Sequence, residues 1–248
     1  MTNSSSNTDI SIIIPLYNES KDIGVLLENL MPYKGKCEII FVDGGSTDDT
    51  VSQVEDWITQ RIVSSPSFKC LHSPKKGRAY QMNYGASHAT GDILWFLHAD
   101  SIPPADALNQ IRDVISKGYC AACFRIKFDS IHPLMLYNSF MSNLRTKVRK
   151  IAFGDQGIFI KKSLFEKLGG YASIPLMEDY RLSLDIRDAG LSLFLAKGTI
   201  RTSERRYLVH GRLKTMVWML KLQRKYRQGF DINELAAEYA QGPPHFRS

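Results

Sequence analysis

Four short apolar runs, each closing on a polar cluster and each separated by a helix-like pattern, set the possible folds of this chain. The runs are residues 10–14, closed by Pro15, then 38–42, 68–71 and 93–97. Between them, Leu26, Leu27, Leu30 and Met31 mark one helix. Thr47 or Asp48 is placed to cap a second through Trp57 and Ile58, and residues 77–89 carry the small Ala79, Ala86 and Ala89 of a helix lying close on a sheet. Strands alternating with helices predict a mostly parallel sheet with right-handed crossovers, flanked by helices. In such α/β sheets ligands bind beyond the carboxyl ends of the strands. Those ends carry Tyr17, Asn18 and Glu19, then Asp43 and Ser46, then His98 and Asp100.

Further along, the pattern predicts a helix near 105–115, a strand over 119–128 and a basic helix ending at Lys150. Gly154-Asp155-Gln156-Gly157 then introduces a short run at 158–160. After the turn Gly169-Gly170-Tyr171, Met177-Glu178-Asp179 opens a helix stopped by Gly190, and a last strand is expected over 191–196. The 248 residues are 44% hydrophobic and 23% charged, ordinary globular usage that excludes collagen, coiled coil and disorder. Four cysteines are too few for a disulfide scaffold. Cys120 and Cys123 lie three apart in a strand pattern and so face opposite ways, which favours a structural role over a redox or zinc one. The opening MTNSSSNTD predicts a flexible start over residues 1–9 without a secretory leader, and no run reaches the roughly 18 apolar residues of a spanning helix. The expectation is a cytoplasmic protein.

The net charge of +7 is concentrated in one place. Residues 201–227 hold nine Lys/Arg against Glu204 alone, leaving 23 basic against 24 acidic residues elsewhere. A near-neutral domain over 10–200, with a nucleotide-binding half at 10–100 and an acceptor half at 101–200, therefore precedes a basic helical segment over 201–248. Such a segment suits an anionic partner. Two uses are open: Arg205, Arg206 and His210 fold back over a diphosphate, or residues 201–227 hold the protein at an anionic membrane face. Residues 216–222 are apolar but for Lys221, which fits a helix packed on the domain as well as one lying in a membrane interface.

Aspartates at strand ends are commonly turn or cap residues. Asp43, Asp48 and Asp100 gain weight from their joint position. A diphosphate ligand calls for Mg²⁺ or Mn²⁺, which takes carboxylate and phosphate oxygens; Asp100 offers the hard ligand, with His98 beside it as an adaptable second group.

The stretches SIIIPLYNES (11–20), VDGGSTDDT (42–50), GRAYQMNYG (77–85) and GDILWFLHAD (91–100), followed by Glu178-Asp179, occur in the order seen in family 2 glycosyltransferases. The chain resembles that family over about residues 10–190. Its VDGGS, GRAYQMN and LHAD variants look most like the small enzymes associated with arsenosugar biosynthesis. The resemblance implies a GT-A fold, a nucleotide-sugar donor (a UDP-sugar first), a divalent cation, a single inverting displacement, and a small-molecule or lipid-linked hydroxyl acceptor. It implies that Pro15, Tyr17 and Glu19 line the base and ribose, that Asp43 accepts a hydrogen bond from the base, and that Ser46 lies with them. Asp100 matches the second acid of the family's Asp-x-Asp motif, and His98 stands where the first acid usually sits. Met82 replaces a common Arg, so the diphosphate leans on Lys76 and Arg78, the latter at a helix start that already favours phosphate. Arg181 departs from an acid often found there. Position alone leaves Asp179 evenly a helix-start acid or a base; the resemblance implies the base, with Glu178 orienting the acceptor or bracing the loop.

Two other classes compete. A nucleotidyltransferase would carry a Gly/Arg/Lys-rich phosphate loop straight after the first strand, where Pro15-Leu16-Tyr17-Asn18-Glu19 stands. A nucleic-acid-binding module could use the basic segment, yet zinc-finger spacing and aromatic-Gly motifs are missing and the acidic strand ends repel a phosphate backbone. No nucleic acid is expected as partner.

Overall fold

A computed structural model describes residues 9–61 and 66–243. One eight-stranded sheet runs through it in the order β3-β2-β1-β4-β7-β6-β8-β5. β1 (Ile10–Leu16), β2 (Cys37–Asp43), β3 (Ser67–His72) and β4 (Ile93–Phe96) are mutually parallel. They are joined by α1 (Ile23–Leu30), α2 (Thr50–Thr59) and α3 (Arg78–Ser87), as the alternation requires. Beyond β4 the sheet turns mixed. β7 (Phe159–Lys161) is antiparallel to both β4 and β6 (Ala121–Phe128), and β8 (Phe194–Thr202) is parallel to β6 and antiparallel to the two-residue β5 (Ser101–Ile102).

Period-two alternation distributes the core over both faces. Ile10, Ile12, Ile14, Ile39 and Phe41 point to the layer with α1, α2 and α4 (Ala107–Ser116); Ile13, Ile40 and Val42 point to the layer with α3, α6 (Lys162–Lys167) and α7 (Glu178–Asp188). Each such fully buried side chain contributes roughly 1.5–3 kcal/mol. Gly85 lets α3 sit down on the sheet, since a Cβ there would lie 2.6 Å from Ile13 and 2.9 Å from Val42. A smaller core joins Leu176, Met177 and Tyr180 to Trp218 and Leu222 of α9 (Arg212–Arg227) and Leu235 of α10 (Ile232–Gln241). α5 (Pro133–Arg149) packs Met135 on Ile126 and Phe128.

The elements depart from the sequence reading in several places. The last strand starts at Phe194 rather than 191 and continues to Thr202, because Ile200 and Thr202 bury alternately while Lys197, Thr199 and Arg201 face out; that exposure disguises the strand as basic tail. Arg201 therefore lies in a strand, paired with Asp129. Neither Thr47 nor Asp48 is the N-cap of α2. Asp49 holds that position, Asp48 accepts from the Thr50 N–H and hydroxyl, and Thr47 donates its N–H to Asn18. β5 and α6 are too short to leave a periodic trace. Of the expected flexible start, only Asp9 is described, with its carboxylate on Arg112; the other eight residues, and 244–248 of the basic segment, lie outside the described residues. All four cysteines are free thiols, Cys123 buried and Cys120 partly so. Among the described residues, no helix is long and apolar enough to cross a membrane.

One buried carboxylate ties the sheet together. Glu38 accepts from the Ser11 hydroxyl, from the Thr90 N–H and hydroxyl, and from Lys69 Nζ at 2.8 Å. Burial alone would raise its pKa, but these donors outweigh it and hold the group at about 2. A depressed carboxyl stabilises the fold above its ordinary value of 4.5 and loses that contribution as pH falls towards about 2. Glu38→Gln should cost about 2–3 kcal/mol at neutral pH, measured by urea unfolding. The gap from the parent protein should narrow between pH 4.5 and 2; a gap constant over that window would show that the carboxylate charge is not involved.

Candidate active site

The loops that follow β1 and β2 are braced against each other at the carboxyl edge of the sheet. Asn18 takes a positive φ of 54°, which its side chain makes tolerable, and its N–H donates to Ser46 Oγ at 3.0 Å. The Glu19 N–H donates to Thr50 Oγ1, and the Ser20 N–H to Asp48 Oδ2. Asp43 accepts from the backbone N–H groups of Gly45 and Ser46 and stands 3.6 Å from His72 Nδ1. Burial pushes its carboxyl up, but those hydrogen bonds win and hold it below the usual range. Gln81 donates to both Leu16 O and Val42 O, clamping the ends of the two strands beneath this loop pair. Tyr17 is half exposed, with Lys76 Nζ 5.8 Å from its ring centroid, and Pro15 lies in β1 opposite Val42. Met82 points into the core, away from these loops.

Beside this cluster opens a cavity of about 890 Å³. Its polar end holds Arg78, His98, Asp100, Asp155, Glu178 and Asp179, and Arg205, Arg206 and His210 close it from the C-terminal side. Pro15, Tyr17, Glu19, Asp43, Ser46 and Lys76 stay outside its walls, on the neighbouring loops. Glu19 links the two groups: its Oε2 is buried without a hydrogen bond, 3.7 Å from Arg205, and its pKa is raised by burial and by Asp100. Arg205 also pairs with Asp22, and Arg206 stacks over the Tyr239 ring at 4.4 Å. The two arginines thus arrive on α8 (Arg205–His210), immediately after β8.

Electrostatics at the polar end follow from burying four acids near few cations. Asp100 is raised by burial, against the pull of Arg205, Arg78 and Arg206. Asp155 is pushed up to about 6 by burial, Arg145 opposing and Asp100 reinforcing. Asp179 is raised by burial and then by the adjacent Glu178 charge. The Asp179 carboxylate accepts from the Gly154 N–H at 2.7 Å and from the Tyr180 N–H at 2.6 Å, so both oxygens are held in place at the cavity wall. Glu178 pairs with Arg78 Nε at 2.7 Å, which makes it a brace for that guanidinium. The residue before the pair, Met177, is buried with φ 64°, a strain worth about 1–3 kcal/mol that the surrounding packing sustains. Arg181 turns away to Asp185 on its own helix. Burial and Arg78 drive His98 down to about 3, leaving a neutral imidazole.

Three residues here escaped the sequence reading. Asp155 sits among the acids, Arg145 stacks on Phe153 at 4.2 Å while donating to Gln156, and Gly154 allows His98 to approach. A Cβ on Gly154 would lie 2.4 Å from His98 Nε2 and 3.5 Å from Asp179 Oδ2. The available signal was the polar Gly154-Asp155-Gln156-Gly157 run between two apolar stretches. Among the described residues, no group of three or more His, Cys, Asp or Glu stands at metal-binding spacing.

A family model described as "Glycosyl transferase family 2" matches residues 11–169. An uncharacterised glycosyltransferase of Mycobacterium tuberculosis is 33% identical over 147 residues, 56% of this chain and 52% of that protein. A dolichyl N-acetyl-α-D-glucosaminyl phosphate 3-β-D-2,3-diacetamido-2,3-dideoxy-β-D-glucuronosyltransferase of Methanococcus voltae is 34% identical over 102 residues, 40% and 31% of the two chains. The chain thus spans about half, or less, of the length of these relatives. Among solved structures, a mannosyltransferase from Pyrobaculum calidifontis in complex with GDP-Man and Mn²⁺ superposes with a TM-score of 0.61 at 25% identity, covering 78% of this chain and 56% of that one. S. aureus TarS in complex with UDP-GlcNAc gives 0.62 at 16% identity, over 79% and 58%, and so speaks for the fold alone.

His98 should remain neutral down to about pH 3, read from its ring protons in an NMR titration. A midpoint near 6.5 would place it away from Arg78. Gly154→Ala should displace the imidazole and cost about 1–3 kcal/mol by overpacking, visible as a lowered melting temperature and a shifted His98 resonance.

Proposed function

The chain belongs to glycosyl transferase family 2, and from that premise we propose that it moves a sugar from a nucleoside-diphosphate donor, a UDP-sugar first, to a hydroxyl acceptor in one inverting displacement. The observation that carries this reading is Asp179: a buried carboxylate with a raised pKa, fixed by two backbone N–H groups on the wall of the cavity that also holds Asp100 and Arg78. In this displacement the acceptor oxygen bonds to the anomeric carbon, the bond from that carbon to the diphosphate oxygen breaks, and Asp179 takes the acceptor proton. Glu178 acts through Arg78, holding it towards the donor phosphates.

Pro15, Tyr17, Glu19, Asp43 and Ser46 would line the nucleoside, with residues 10–100 forming the nucleotide half and 101–200 the acceptor half. Asp43 spends both oxygens on its own turn, so its role towards the base includes fixing the loop. Lys76, Arg78, Arg205 and Arg206 supply positive charge for the diphosphate, which assigns the basic segment, at least at its start, to the donor.

A divalent cation fits this edge on two grounds. Glu19 Oε2 is buried without a hydrogen bond and feels the Asp100 charge, and His98 is a neutral imidazole. One strong carboxylate ligand is ordinary for Mg²⁺ or Mn²⁺ completed by phosphate and water. Asp100 would hold the cation, with His98 at its side, and when bound it would supply charge neutralisation to the leaving diphosphate. The mannosyltransferase in complex with GDP-Man and Mn²⁺ supports both the cation and a nucleotide-sugar donor. The family assignment sets aside the nucleotidyltransferase and nucleic-acid readings; the relatives above carry the family and not the narrower arsenosugar likeness.

A thermal-shift panel of nucleotide sugars with and without Mn²⁺ tests the donor. Asp100→Ala should remove the Mn²⁺-dependent shift, and persistence of the full shift would deny Asp100 the cation. Asp179→Asn should keep donor binding and lose roughly 10²–10⁴-fold in turnover; near-parental turnover would make Asp179 a structural acid. Because burial and Glu178 raise Asp179, turnover should fall with decreasing pH well above the ordinary aspartate range. Glu178→Gln should move that fall to lower pH.

A further inference from the structure

The cavity does not end at the acids. It continues between α5 and α9, where its walls become apolar: Tyr137, Met141, Leu144 and Val148 on one side, Met216 and Leu220 on the other. The α5 residues recur at helical spacing as one stripe, and so do Leu213, Val217 and Leu220 on α9. These side chains are not packed away. Leu144 is 38% exposed, Leu220 57% and Val148 68%. The buried face of α9 is a different one, since Trp218 and Leu222 contact the core at Met177 and Tyr180. α9 therefore carries two apolar faces, and the second stays partly exposed, Leu213 at 56%, Val217 at 38% and Leu220 at 57%. Contiguous exposed apolar surface of this kind marks a ligand groove or an interface.

We infer that the acceptor is an amphiphile, with a hydroxyl-bearing head at Asp179 and an apolar chain in the groove between α5 and α9. The inference rests on the proposed role of Asp179 and adds the class of acceptor. Continuity decides the occupant. One cavity holds both the carboxylate and the apolar walls, so a molecule filling it presents a reactive polar end to the first and a hydrocarbon length to the second. A small polar acceptor would leave Leu144, Val148 and Leu220 in water. The stripe from Tyr137 to Val148 spans about 17 Å at helical rise, the length of a medium acyl or prenyl chain. Arg149 and Arg227 also line the cavity, and an anionic surface from which such an amphiphile is drawn would meet them. Phe140 and Leu213, 62% and 56% exposed, extend the apolar surface beyond the cavity.

The test uses the full chain and a series of methyl, octyl and dodecyl glucosides below their micellar concentrations, with binding followed by calorimetry. UDP and GDP with Mn²⁺ are followed in parallel by thermal shift. Methyl glucoside should bind at least a hundredfold more weakly than dodecyl glucoside, with octyl between. Leu144→Glu and Leu220→Glu, both at exposed positions, should each weaken dodecyl glucoside at least tenfold and leave the nucleotide shift unchanged. Affinity independent of chain length, or unaltered in both variants, overturns the amphiphilic acceptor while leaving the transferase reading intact if the nucleotide shift persists. Loss of the nucleotide shift with chain-length dependence retained counts instead against the donor reading. A concentration-dependent dimer in sedimentation that Leu144→Glu abolishes would assign the groove to a second copy of the chain and also overturn the inference.

Discussion

Burying negative charge is costly unless cations or hydrogen bonds compensate it, and this chain places Asp100, Asp155, Glu178 and Asp179 in the walls of one cavity with Glu19 on the loop beside them. Arg78 is the cation that four of these acids share. It pairs with Glu178 and is felt by Asp179, Asp100 and Asp155. Since Arg78 opens α3 in the first half of the fold and Glu178 opens α7 in the second, their 2.7 Å contact also helps join the two halves at the site. The compensation stays incomplete: Asp100, Asp155 and Asp179 all remain raised. An edge in that condition favours an added positive charge.

Further positive charge is delivered by the C-terminal segment, and the route depends on β8. A strand ending at 196 would leave the following residues free to lie anywhere. The observed strand runs on to Thr202, pairs with β5 directly after Asp100, and hands the chain to α8 beside the acids. Arg205 then reaches Glu19 and Asp22, while Arg206 lies over Tyr239 and reaches the cavity. Further along the segment the charges are used differently. Arg212 pairs with Glu204 and Lys225 with Glu238, so part of the basic patch is internal bracing.

The first half of the fold was legible because it rests on strong local signals: five-residue apolar runs, helix periodicity, and polar residues at the strand ends. The placement of Asp43, Ser46, His98 and Asp100 at or just past the carboxyl ends of β2 and β4 followed from topology alone. The second half was legible in order but not in geometry. Short strands such as β5 and β7 carry too few residues to show a period, and antiparallel insertion of β7 between two parallel pairs is a long-range outcome that no local pattern encodes. Asp155 and Arg145 were missed for a related reason. Each lies in a segment whose own pattern is unremarkable for a loop or a basic helix, and each acquires its role from burial against elements far away in sequence. Glu178 was visible as a pair member, yet its work as a partner of Arg78 requires contact across a hundred residues.

The apolar face of α9 shows how much a local pattern can withhold. Residues 216–222 are apolar but for Lys221, and a helix apolar on most faces ordinarily implies burial on most sides. Instead the helix divides its faces. Trp218 and Leu222 close the small core under Met177, which holds the strained turn before Glu178 and Asp179, while Met216 and Leu220 face the cavity. One helix thus supports the acids from below and continues their cavity as an apolar wall. Changing the buried face would disturb the position of Asp179; changing the open face would alter what can lie alongside it. The absence of a clean amphipathic stripe, which left packed and interfacial readings open in the sequence, is the mark of a helix that serves both a core and a groove.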